Sequence, residues 1–87
     1  MGDVLRGRDD ARYVGCGPDT GFARLVADSR KVGPGALFVA LAGGAHDGHG
    51  FVDEVLARGA AAVVIQRGRI AAPAGPHVWL DDTWAAL

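Results

Sequence analysis

Two short, unbroken apolar runs with one glycine-rich loop and one amphipathic stretch between them leave this chain few ways to fold. The runs are residues 36–41, ALFVAL, and residues 60–65, AAAVVI. Neither alternates polar with apolar, so each reads as a strand buried on both faces, as in a sheet covered on both sides. Between them, Phe51, Val52, Val55 and Leu56 recur at helical spacing, while Asp53, Glu54 and Arg58 point to water. Acids in the first turn suit the helix dipole, and Gly59 follows as a stop. Strand, helix and strand at these lengths predict a β-α-β unit with a parallel, right-handed crossover.

The rest of the chain extends that unit. Residues 22–27 alternate and predict a further strand, and Gly33-Pro34-Gly35 predicts a turn. A last short strand is expected at residues 77–80. Asp81 or Asp82 would then cap a helix beginning Thr83-Trp84-Ala85-Ala86-Leu87. Residues 1–20 are a weakly patterned lead-in with a turn at 15–18, and no element is predicted there. The expected fold class is α/β: a single small domain over residues 21–87, with a mixed or parallel sheet.

Charge and hydropathy narrow the function. The net charge is −1, with acids and bases interspersed, which gives no footprint for nucleic acid. The apolar runs are too short to cross a membrane, and the first ten residues lack the apolar region of a signal peptide. Cys16 is the single cysteine, so an internal disulfide is impossible. A packed thiol and a reducing, cytoplasmic setting are expected.

Polar chemistry gathers at two predicted strand ends. Asp28-Ser29-Arg30 leaves the first, offering a hydroxyl and a planar guanidinium fork. Gly43-Gly44-Ala45-His46 leaves the second, where small residues let a ligand approach backbone N–H groups. If the two strands are neighbours, these ends face each other across a crevice. Two plainer readings stay open: Asp28 and Arg30 pair with each other, and the glycine-rich segment is an ordinary loop. His46 and His49 flank Asp47-Gly48 without a nearby cysteine, short of the four ligands of a closed zinc site, so no metal is expected. Asp47 is read as a cap or loop pin, and His49 as a partner for backbone. No Gly-Lys-Ser/Thr phosphate loop and no nucleophile–base arrangement occurs. No catalytic residue is therefore assigned.

Taken in order, Asp28-Ser29-Arg30-Lys31-Val32, Pro34-Gly35, residues 37–41, Gly43, Asp47-Gly48-His49, Phe51 and residues 59–64 resemble the N-terminal domain of the Mur ligases. The resemblance is greatest to members that add the third stem-peptide residue (MurE) or the D-Ala-D-Ala dipeptide (MurF), with a tilt toward the latter. It implies a domain that grips the UDP end of a UDP-linked muramoyl peptide during cell-wall peptidoglycan synthesis. Ala27 and Ser29 would line the uridine pocket. Gly44, Ala45 and His46 would approach the uracil or diphosphate, with Arg30 in support. ATP and magnesium would belong to the family's central domain, so this stretch alone is not expected to ligate anything. The alternative is a free-standing binding or interaction module that reuses the fold. Self-association, or contact with a partner chain, is also expected through Thr83–Leu87, with Trp84 as an anchor.

Overall fold

In the computed structural model the described residues are 11–17, 20–41 and 48–86. They form a five-stranded sheet: β1 (Arg12–Val14), β2 (Leu25–Val26), β3 (Leu37–Val39), β4 (Ala62–Gln66) and β5 (His77–Leu80). The spatial order is β1-β5-β4-β3-β2. β2, β3, β4 and β5 run parallel, with Val26 opposite Phe38, Phe38 opposite Val63 and Val64 opposite Val78. β1 joins β5 antiparallel, so the sheet is mixed. One α-helix, α1 (Val52–Ala57), crosses from β3 to β4. The predicted β-α-β unit is the centre of the molecule.

Side chains alternate across a strand, so one buried strand feeds two cores. Leu37, Val39, Val64, Val78 and Leu80 pack together on one face. Phe38, Ala40, Val63 and Ile65 pack with Val52 and Val55 of α1 on the other. None of the named strand residues retains measurable exposure. Burying such a side chain contributes about 1.5–3 kcal/mol each before conformational entropy is counted.

At their amino ends β2, β3 and β4 are tied by backbone hydrogen bonds. Ala23 N–H donates to the Gly35 carbonyl at 2.7 Å, and Gly35 N–H donates to the Gly59 carbonyl at 2.8 Å. Gly35 and Gly59 sit at φ +81° and +94°, where a side chain would be strained. Gly59 thus ends the helix as predicted.

Several elements differ from expectation. The strand predicted over 22–27 pairs only at Leu25–Val26, because Ala23 is spent on Gly35 and Asp28 turns the chain away. Phe22 instead packs against the first core. β1 is the element the pattern does not announce: three edge residues, of which Tyr13 alone reaches the core, carry no periodicity. Phe51 is not on the buried stripe of the helix. It closes a 3-10 turn, Gly48–Phe51, ahead of α1 and is 37% exposed. Thr83–Ala86 forms a single 3-10 turn, with the Asp82 carboxylate accepting Trp84 N–H at 3.1 Å. Trp84 is 56% exposed, while Leu87, the end of the expected association surface, lies outside the described residues.

Cys16 is half-buried and directs its thiol at the His77 carbonyl, 3.6 Å away. Burial pushes that thiol above its ordinary range, which suits a packed group rather than a reactive one. Among the described residues, no helix is long and apolar enough to cross a membrane.

Candidate functional site

Parallel pairing of β2 with β3 brings their carboxyl ends to the same edge of the sheet, where open α/β sheets hold ligands. Two residues past β2, the chain enters a 3-10 turn, Ser29–Lys31. Asp28 caps that turn, its Oδ1 accepting Arg30 N–H at 2.9 Å. The same carboxylate receives the Arg30 side chain, Nε on Oδ1 at 3.1 Å and Nη2 on Oδ2 at 2.9 Å. The Arg30 side chain, then its backbone N–H, holds the Asp28 carboxyl down to about 2. Arg30 itself stays 87% exposed. An ion pair so open to solvent adds little to global stability and serves instead to shape the turn.

A cavity of about 550 Å³ opens beside this turn. Asp28, Ser29 and Arg30 form one wall, and Phe51, Glu54 and Arg58 form the other, with Phe38 and Gly48 also lining it. The walls are joined by Arg58, which donates from Nη1 to the Ser29 carbonyl at 2.7 Å and from Nη2 to Glu54 Oε1 at 2.8 Å. The two acids and two bases of these walls balance in charge. The Ser29 hydroxyl has no partner among the described residues.

Gly48 is required here by close approach rather than by φ. A Cβ added to it would lie 3.1 Å from Ala40 Cα and from the Leu41 nitrogen, and 3.3 Å from Phe38 Cζ. Its N–H donates to the Leu41 carbonyl at 3.0 Å. Next to it, buried His49 accepts Gln66 N–H on Nε2 at 2.9 Å, pinning the start of the crossover to the end of β4. His49 therefore serves backbone, as its sequence context suggests.

Of the residues predicted for the site, Ser29 and Arg30 line the cavity. Ala27 is exposed at the same strand end and does not line it. Gly44, Ala45 and His46, and Asp47 with them, lie outside the described residues. The plainer reading of Asp28 and Arg30 also holds, since the two do pair. Sequence reasoning missed Phe51, Glu54 and Arg58. The i,i+4 spacing of Glu54 and Arg58 signals their ion pair. Nothing local signals the reach of Arg58 to a carbonyl 29 residues away. A hydroxyl, an aromatic ring and two internally satisfied ion pairs make a surface suited to binding.

Residues 22–79 match the family described as Mur ligase family, catalytic domain. A UDP-N-acetylmuramyl-tripeptide synthetase of Roseiflexus sp. is 52% identical over 57 residues, covering 61% of this chain and 11% of that protein. A UDP-N-acetylmuramoyl-L-alanyl-D-glutamate–2,6-diaminopimelate ligase of Rhizobium meliloti is 45% identical over 58 residues, covering 67% of this chain and 12% of the relative. In three dimensions, a crystal structure of MurF from Acinetobacter baumannii superposes with a TM-score of 0.77 at 26% identity, over 99% of this chain and 19% of that one. The chain thus spans between a tenth and a fifth of the length of these proteins. The α/β fold expected from the sequence matches that MurF structure.

Proposed function

The chain belongs to the Mur ligase family, and from that premise we propose that it holds the UDP end of a UDP-linked muramoyl peptide. The uridine would sit between Ser29 and the loop carrying Gly44, Ala45 and His46, with Ala27 at the rim. Arg30 supports the turn through Asp28. The observation that carries this reading is the cavity at the joined ends of β2 and β3, with an uncommitted Ser29 hydroxyl on its wall. Its 550 Å³ falls in the usual range for small-molecule sites. The work is cytoplasmic in this reading, in peptidoglycan synthesis. In this reading ATP and magnesium would belong to the central domain of such a ligase; these 87 residues hold no Gly-Lys-Ser/Thr loop.

Titration with UDP and with UDP-N-acetylmuramic acid, followed by residue-resolved chemical shifts, tests the reading. Shifts are expected at Ser29, at Gly48 and in the 44–46 loop. Ser29→Ala should weaken binding about two- to thirteen-fold, the worth of one neutral hydrogen bond at roughly 0.5–1.5 kcal/mol, with melting unchanged. Saturating ligand that moves none of these resonances would leave the interaction-module reading in its place.

A further inference from the structure

We infer that Arg58 is a positioning residue that holds the Ser29 turn in register with the crevice, an inference that rests on the UDP-binding reading just given. The turn needs such support. Ser29–Lys31 spans three residues and hangs from β2, a two-residue strand at the edge of the sheet. Within the turn, the Ser29 carbonyl receives only Val32 N–H, at a long 3.3 Å. Local structure therefore fixes the direction of the chain there but not its distance from the opposite wall.

Arg58 supplies that distance. It follows α1, whose Val52 and Val55 are packed in the second core, so the base of its side chain is anchored. Its guanidinium spends one arm on Glu54, a turn back on the same helix, which sets the plane of the fork. The other arm closes on the Ser29 carbonyl at 2.7 Å. A charged donor on a backbone carbonyl is stronger than a neutral bond. The Glu54 ion pair alone, with both partners near half exposed, would contribute little. What Arg58 adds is tertiary: a strut from the core, across the cavity wall, to the residue whose hydroxyl faces the ligand. Lysine cannot replace it fully, because a single ammonium on a flexible stem has no planar fork to share between Glu54 and Ser29.

The test reads the turn and the ligand separately. In the free protein, Arg58→Met should speed hydrogen exchange at the Lys31 and Val32 amides, both bonded within the turn, and leave Val63 and Val64 protected. UDP affinity should fall, by no more than the roughly two- to thirteen-fold expected of Ser29→Ala, because Arg58 acts only through that residue. Arg58→Lys should fall between wild type and Arg58→Met, and it serves for both readouts if the methionine variant does not fold. In a Ser29→Ala background the Arg58→Met effect on UDP should largely vanish, because the strut then positions nothing that binds; a merely stabilising residue would give additive losses. Unchanged exchange at Lys31 and Val32, or additive losses in the double variant, overturns the proposal. A wild-type chain that ignores UDP while the turn loosens in Arg58→Met overturns the UDP reading and leaves the strut standing.

Discussion

The two ends of the parallel strands solve the same problem in opposite ways. At the amino ends, backbone satisfies backbone: Ala23 on Gly35, Gly35 on Gly59, and Ala61 on Ala36 at 2.7 Å. At the carboxyl ends, side chains join the backbone bonds: Asp28 on Arg30 N–H, Arg58 on the Ser29 carbonyl, and His49 on Gln66 N–H. The first arrangement leaves a smaller cavity, about 330 Å³, and needs glycine at two positive-φ positions. The second leaves a 550 Å³ cavity whose walls are movable groups. Backbone closure fixes a fold, while side-chain closure leaves donors and acceptors that substitution can retune without refolding the chain.

Three changes test that contrast. Phe38 straddles it, since it lines the cavity at the open end yet is fully buried in the second core. Phe38→Ala should cost about 3–5 kcal/mol in denaturant unfolding, the range for truncating a core aromatic. A loss below about 1 kcal/mol would assign Phe38 to the open end instead. Gly59→Val attacks the closed end alone. A branched residue at φ +94°, with its Cβ 3.4 Å from Pro34 Cα, should cost roughly 1–3 kcal/mol. The folded fraction should still bind UDP with wild-type affinity; a parallel loss of affinity would show that the two ends are not separable.

The smallest effect concerns pH. Asp28 has its carboxyl depressed from 3.8 to about 2 by Arg30, so its cap is favoured in the folded state. A depressed carboxyl contributes fully above its ordinary value and loses that contribution as pH falls through the folded value. The Arg30 amide resonance should therefore hold its position from neutrality to about pH 4 and move between there and about 2. Movement centred near 4 would mean that Arg30 does not hold the carboxylate in solution.

Legibility in the sequence follows how local each cause is. The runs at 36–41 and 60–65, the helix between them and the stop at Gly59 are written as nearest-neighbour patterns, and all appear in the structure. β5 matches residues 77–80 for the same reason. β1 and the shortened β2 escape because edge strands of two or three residues are decided by what they pair with, not by their own periodicity. Ser29 and Arg30, singled out by their polar types at a strand end, line the cavity. Arg58 lines it too but is not legible locally, since one of its hydrogen-bond partners lies 29 residues away. Phe51 misled because its spacing is helical while its backbone, at φ −109° and ψ 5°, is not.

The balanced walls of the crevice also say something about time. Among the described residues of the walls, two positive and two negative groups are paired, and each pair by itself produces little field beyond the cavity mouth. Such pairs add little long-range attraction for an anion, and little for salt to screen. In the proposed binding of UDP, these pairs would act after collision, in how long a fitted ligand stays.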